Sequence, residues 1–275
     1  MHIHPHIASL RSALPAGQRI ALVPTMGALH EGHMALIAQA RESADCVVAS
    51  IFVNRLQFRP GEDFDHYPRP FAADCAQLES AGVDILFNPD DAEIYPDSAY
   101  SWITPPPELA DILEGAYRPG FFRGVATVVM KLFQIVSPHI ALFGKKDYQQ
   151  QLIIGQMVQA LNLPLEIKAV DTVRAPDGLA LSSRNAYLST QERAQAPQLF
   201  QTLRHLRSRI HEGDRDFTAL ESHGRQTLDD QGFRTDYIAI RRKIDLQFPL
   251  AHDSGLVILA AAHLGRTRLI DNLEV

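Results

Sequence analysis

The stretch Val23–His33 reads V-P-T-M-G-A-L-H-E-G-H, and its reading decides the fold. It closes an apolar run, Arg19–Thr25, that reads as a buried strand. It also opens a segment, Glu31–Ala44, in which Met34, Leu36, Ile37 and Ala40 recur at helical spacing. Two imidazoles, His30 and His33, stand where strand gives way to helix. A zinc-protease motif needs H-E-x-x-H; here the second histidine comes one residue too early and no third ligand is signalled. The G-x-G-x-x-G fingerprint of dinucleotide sites is absent from this turn. Two readings remain. One is an anion site, in which free N–H groups at the helix start attract phosphate, the imidazoles donate to it, and Gly27 and Gly32 let the chain approach closely. The other is a helix-capping role for one of the histidines.

Outward from this turn the same alternation repeats. Cys46–Val53 and Val83–Asn88 read as strands around a helix at Ala72–Ala81. Arg123–Val136, with Val125, Val128, Val129, Leu132 and Phe133 on one face, reads as a helix before a strand at His139–Gly144. A helix over Lys146–Leu161 and a strand over Leu165–Thr172 follow. Continuous apolar strands separated by helices predict a doubly wound parallel sheet covered on both faces, an α/β Rossmann-like fold. After about Arg184 the order changes to two helices, Thr190–Glu212 and Phe217–Gln231. Three closely spaced strands then close the chain: Phe233–Arg242, Gly255–Leu264 and Thr267–Val275. That order predicts a smaller C-terminal α+β domain with an antiparallel sheet, and we place the boundary near residue 180, giving domains 1–180 and 181–275. Thr104–Glu108 (T-P-P-P-E) reads as a stiff surface connection.

Composition narrows the function. The 275 residues are 46% apolar and 21% charged, an ordinary globular balance, and the net charge of −6 argues against sequence-independent nucleic-acid binding. No apolar run nears the roughly 18 residues needed to span a bilayer, and the start, M-H-I-H-P-H-I, lacks the regions of a signal peptide, so a cytoplasmic protein is expected. Cys46 and Cys75 read as two buried reduced thiols. His2, His4 and His6 read as a solvent-exposed terminal segment.

Ligands of doubly wound sheets sit beyond the C-terminal strand ends. The polar chemistry of this chain falls at those ends. Beside Met26–His33 stand N-R-L-Q-F (Asn54–Phe58), G-K-K-D (Gly144–Asp147) and the region Val173–Asn185, which holds D-G-L-A-L-S-S-R-N. Lys146 at a strand exit is suited to phosphate, although a solvated helix-end lysine would look the same. Two hydroxyls beside Arg184 suit phosphate, although a capped helix start would look similar. G-x-x-x-x-G-K-[ST] and G-x-S-x-G are both absent, so neither a P-loop nor a nucleophile elbow is present. Phosphate-gripping groups without an obvious nucleophile suggest that two substrates react with each other.

Together these stretches resemble the pantothenate synthetase (pantoate–β-alanine ligase) family. The resemblance rests on P-T-M-G-A-L-H-E-G-H, S-I-F-V-N-x-x-Q-F, L-E-G-A-Y-R-P-G-x-F-R-G-V, F-G-x-K-D-Y-Q-Q, D-G-L-A-L-S-S-R-N and the late T-R-L-I-D-N. It implies an ATP-dependent amide ligase that condenses pantoate with β-alanine through a pantoyl-adenylate, releasing AMP and pyrophosphate. It implies ATP as substrate with Mg2+ bound through the phosphates, no protein metal site, and a homodimer formed through the larger domain. It puts Met26, Gly27, Ala28, Leu29, His30, Glu31, Gly32 and His33 at ATP, with His33, His30 and Lys146 active. Gly144, Lys145, Lys146 and Asp147 also contact ATP, Val173 packs near the adenine, and Leu181, Ser182, Ser183 and Arg184 close over the nucleotide. Gln57 and Gln150 hold pantoate, and Gln57 borders β-alanine. The second domain acts as a lid.

The chain departs from the family pattern at Arg55 (commonly Pro), Phe121 (His), Lys145 (Glu) and Arg242-Lys243 (an acidic position). These changes are expected to add positive charge near the site. Two other activities share the same strand-end chemistry: nucleotidyl transfer to a phosphorylated acceptor, and ATP binding without turnover.

Overall fold

A computed structural model describes residues 1–96 and 101–275. Six strands form one all-parallel sheet: β1 (His2–His4), β2 (Ile20–Thr25), β3 (Cys46–Ile51), β4 (Ile85–Phe87), β5 (Ile140–Gly144) and β6 (Glu166–Val170), in the spatial order β1-β4-β3-β2-β5-β6. Its helices are α1 (Ile7–Ala13), α2 (Glu31–Ser43), α3 (Phe71–Ser80), α4 (Asp91–Ile94), α5 (Pro107–Ala110), α6 (Glu114–Tyr117), α7 (Phe121–Val136) and α8 (Tyr148–Ala160). The apolar runs are continuous because alternate residues of each strand face opposite layers and both layers are buried. Leu22, Val48, Phe87 and Phe143 pack with Val125, Val129 and Phe133 of α7 and with Ile154 of α8. Ala21, Val23, Val47 and Leu86 pack on the other side with Leu36, Ile37 and Ala40 of α2 and Leu78 of α3.

The chain builds outward from β2 to β3 and β4, then returns across β2 to place β5 on its other side. The switch point therefore lies between β2 and β5, whose exits carry Met26–His33 and Gly144–Asp147.

The C-terminal part contributes α9 (Thr190–Gln195), α10 (Gln198–His211) and α11 (Phe217–Asp230), and the antiparallel strands β7 (Arg234–Arg242), β8 (Leu256–Leu264) and β9 (Thr267–Glu274). Ile238, Ile240, Ile258 and Ala260 face α10 and α11, against Leu203, Leu206 and Leu220. The opposite face, with Ala239, Val257 and Leu259, packs on Leu109, Leu113, Phe122, Tyr148 and Ile153 of the first unit. The small sheet is thus a middle layer, with β9 seated against the turn that leaves β5.

Several local expectations change. The N-terminal histidines form a strand: His2–His4 pairs in parallel with Ile85–Phe87, because the sheet edge at β4 offers unpaired backbone groups. The helix expected over Thr190–Glu212 breaks at Pro197, which lacks the N–H that a continuing helix requires. The proline tract is not extended throughout, since Pro107 takes the first helical position of α5, where its missing N–H is not needed. Cys46 is buried as expected, whereas Cys75 is only half-buried. Among the described residues, no helix is long and apolar enough to cross a membrane.

Candidate active site

The turn after β2 is held in an unusual backbone shape. Gly27 has φ +79° and Ala28 has φ +50°, the left-handed region that a residue with a Cβ normally avoids. Buried Asp74 of α3 holds the turn in place. One of its carboxylate oxygens accepts from the Ala28 N–H at 2.9 Å and the other from the Leu29 N–H at 2.8 Å. A Cβ at Gly27 would also be crowded, 3.0 Å from Asp74 Oδ2 and 3.1 Å from Ile51 Cγ2, which adds to the cost of its positive φ.

Both histidines cap α2, one more than the sequence suggests. The Gly32 N–H donates to His30 Nδ1 at 3.1 Å, and the His30 N–H donates to His33 Nδ1 at 3.2 Å. A backbone N–H can only donate, so neither Nδ1 carries a proton. Burial, followed by the nearby charge of Lys146, lowers the His30 pKa to about 4. Burial, followed by His30 and Lys146, lowers that of His33 to about 3. Both rings are therefore neutral at pH 7, with the proton on Nε2. Capping and anion binding are compatible: Nδ1 orders the turn and Nε2–H remains a donor in the cavity both rings line.

The β5 exit is a 3-10 turn over Lys145–Asp147 that leads into α8. Its two lysines part ways. Lys146 lines the same cavity as the histidines, and its ammonium lies only 4.0 Å from Asp147 Oδ2. Lys145 turns away to an ion pair with Asp171 at 2.8 Å, with Glu274 at 3.6 Å. Asp171, together with Glu274, raises the Lys145 pKa, so its charge is already balanced.

The β3 exit brings the glutamine. Buried Asn54 donates to Gln57 Oε1 at 3.0 Å and to the Gly124 carbonyl at 3.2 Å, and it accepts from the Tyr95 hydroxyl at 2.9 Å. Helix α7 lies so close to this turn that a Cβ on Gly124 would fall 2.1 Å from the Leu56 carbonyl oxygen. On α8, Gln149 and Gln150 both border the cavity, but the Gln149 amide nitrogen is committed to the carbonyls of Leu109 and Ile112.

A single cavity of about 1040 Å³ unites these exits, at the upper end of the small-ligand range. Met26, His30, Gly32, His33, Gln57, Gly144, Lys146, Asp147, Gln150, Val173 and Leu181–Arg184 all line it. Gly27, Ala28, Leu29, Glu31 and Lys145 do not. Ala28 and Leu29 spend their N–H groups on Asp74, Glu31 is exposed, and Lys145 is drawn off by Asp171. Ser183 Oγ donates to the Ala28 carbonyl at 2.9 Å, tying the two exits together. Arg184 forms a two-point pair with Asp63, both bonds at 2.9 Å, so its guanidinium is engaged by the loop Arg59–Tyr67.

Sequence reading missed Asp74, which holds the turn from outside the cavity, and Asp63, which lines it and engages Arg184; Asn54 stood in the second strand exit but was given no role. The departures from the family pattern also look different in three dimensions. Arg55 pairs with Asp91 at 3.2 Å, Arg242 with Asp245, and Lys243 with Glu274 at 3.8 Å. Phe121 lies under the Arg118 guanidinium, 3.8 Å from its ring centre. Each added cation has an acidic partner, so the expected excess of positive charge at the site does not arise.

The family model for pantoate–β-alanine ligase matches residues 2–274. Pantothenate synthetase of Chromobacterium violaceum is 54% identical, covering 100% of this chain and 99% of that protein. The Nitrosospira multiformis protein of the same name is 52% identical, with 100% and 98% covered. The crystal structure of pantothenate synthetase from Thermus thermophilus superposes with a TM-score of 0.95 at 45% identity, covering 100% of this chain and 99% of that one. That of pantoate–β-alanine ligase from Francisella tularensis, complexed with β,γ-ATP and β-alanine, superposes with a TM-score of 0.85 at 37% identity, covering 100% and 97%. The chain therefore belongs to the pantoate–β-alanine ligase family.

Proposed function

We propose that the cavity at the β2–β5 switch point is where this chain joins pantoate to β-alanine at the expense of ATP. The observation that carries this reading is the convergence of two neutral Nε2–H donors, one lightly paired lysine and two glutamines on one cavity. In the first half-reaction a pantoate carboxylate oxygen attacks the α-phosphorus. A P–O bond forms, the bond to pyrophosphate breaks, and pantoyl-adenylate remains. In the second, the β-alanine amine attacks the acyl carbon, the C–O bond to AMP breaks, and the amide forms with loss of the amine proton.

The residues divide this work. Lys146 and the Nε2–H groups of His30 and His33 face the phosphates. They stabilise charge that grows on the transferring group, which in a preorganised site is usually the largest catalytic term. Gln57 and Gln150 offer both donors and acceptors, which suits the hydroxyls and carboxylate of pantoate, and Gln57 borders the β-alanine position. Met26 and Gly144 flank the nucleotide, Val173 packs near the adenine, and Leu181–Arg184 close over it. Arg184 reaches phosphate only by releasing Asp63. Mg2+ bound through the ATP phosphates would add to the positive charge that Lys146 supplies there. We place the enzyme in the cytoplasm as a homodimer formed through the larger domain. Free thiols at Cys46 and Cys75 fit a reducing compartment.

The adenylate leaves an atomic record. With 18O in the pantoate carboxylate, one label should appear in AMP after β-alanine is added. Label that leaves in phosphate, pyrophosphate or water instead of AMP would reject the acyl-adenylate.

A further inference from the structure

The late motif T-R-L-I-D-N, Thr267–Asn272, has no part in the reaction described so far, yet its side chains reach the site. It forms most of β9, on the small sheet. Asn272 is almost completely buried. Its Nδ2 donates to the Lys145 carbonyl at 2.8 Å and to the Lys146 carbonyl at 2.9 Å. Because both partners are carbonyl oxygens, the amide nitrogen must face them, and its two hydrogens serve one carbonyl each. This two-point grip fixes the peptide groups on either side of the Lys146 Cα, and so fixes the root of the Lys146 side chain, which lines the cavity.

The neighbours on β9 hold Asn272 itself. Asp271 accepts both arms of Arg174, at 2.6 and 2.8 Å, and also accepts from the Asn272 N–H at 2.7 Å. Arg174 in turn donates to the Asn272 carbonyl at 3.1 Å. Farther along the strand, Arg268 bridges Glu114 of α6, at 2.6 Å, and Asp236 of β7, at 2.7 Å. The strand is thus pinned at both ends across the join between the two units.

We propose that Asn272 is a positioning residue for Lys146, so that the C-terminal sheet sets the place of the phosphate-binding ammonium. The proposal rests on the reading of Lys146 given above. A carboxylate at 272 would set oxygen against two carbonyl oxygens, and an isosteric leucine would keep the volume without either donor.

The test is a double-mutant cycle in the full-length enzyme, read by pantoate-dependent ATP–pyrophosphate exchange well below each variant's melting temperature. Asn272→Leu should lower kcat by about 10- to 100-fold, as displacements near 1 Å do, with the KM for pantoate within about 2-fold of normal. In a Lys146→Ala background the same change should lower the rate no further, because the residue it positions is gone. Leu264→Ala, in the core of the C-terminal part and outside the cavity, should lower the melting temperature yet keep kcat. If Asn272→Leu does not fold, Asn272→Ala is read in the same way. Losses that multiply in the double variant, or a normal kcat for Asn272→Leu, would overturn the proposal alone. A normal rate for Lys146→Ala would overturn the reading of Lys146 and the proposal with it.

Discussion

Asp74→Asn is the sharpest perturbation of the site that leaves every cavity-lining residue in place. The carboxylate holds the Ala28 and Leu29 N–H groups at 2.9 and 2.8 Å, and the site is buried. Asparagine keeps one acceptor oxygen and sets an NH2 against the other N–H. One charge-assisted bond is lost, the second weakens to a neutral one, and a buried donor is left without a partner. Hydrogen bonds to charged groups contribute about 1.5–3 kcal/mol and an unsatisfied buried donor costs about 1–3 kcal/mol. These terms overlap, and a net loss of about 2–4 kcal/mol is expected. For a chain of this size that lowers Tm by roughly 5–10 °C. Ala28, at φ +50°, loses the contact that holds it in the left-handed region, so the turn carrying His30 should relax. Turnover should then fall by about 10- to 100-fold. Calorimetry and steady-state kinetics on the same preparation measure both effects. A variant with unchanged Tm and kcat would show that Asp74 does not hold the turn and would refute this reasoning.

Gly124→Ala should be strongly destabilising or should shift the Arg55–Gln57 turn, because its Cβ would meet the Leu56 carbonyl at 2.1 Å; a raised KM for pantoate in any folded protein checks this. The two capping histidines make a prediction about pH. Their folded pKa values, about 4 and about 3, lie below the unfolded value near 6.5, so the unfolded chain takes up protons first. Stability from this pair is present above about pH 6.5 and is lost as pH falls toward 4, and His33→Gln should flatten that part of the Tm profile. For the same reason the acid limb of kcat/KM attributable to these rings should lie below about pH 5, and a midpoint near 6.5 would contradict their lowered pKa values.

Much of the site was legible because strand exits are local features. An apolar run followed by Pro-Thr-Met-Gly, or by Gly-Lys-Lys-Asp, announces itself within ten residues, and parallel topology then brings the exits together. What stayed hidden depends on long-range contacts. The residues alone do not tell Lys145 from Lys146; the resemblance picks out Lys146, and the positions of Asp171 and Glu274 show why Lys145 is drawn away. Asp74 lies one helical turn before buried Leu78, so its place on the inward face of α3 was readable, but the N–H groups it meets are more than 40 residues away. The pairing of His2–His4 with β4 follows from an open sheet edge that no local pattern reveals. The acidic partners of Arg55 and Lys243 lie 36 and 31 residues farther along the chain, so their neutralisation was not visible either.

The central claim is that this cavity first joins pantoate to the α-phosphorus of ATP and only then admits the amine. Pantoate-dependent exchange of labelled pyrophosphate into ATP, measured without β-alanine, tests it most directly. Exchange that requires pantoate and collapses in Lys146→Ala is the predicted result; exchange that proceeds without pantoate, or only once β-alanine is present, would contradict it.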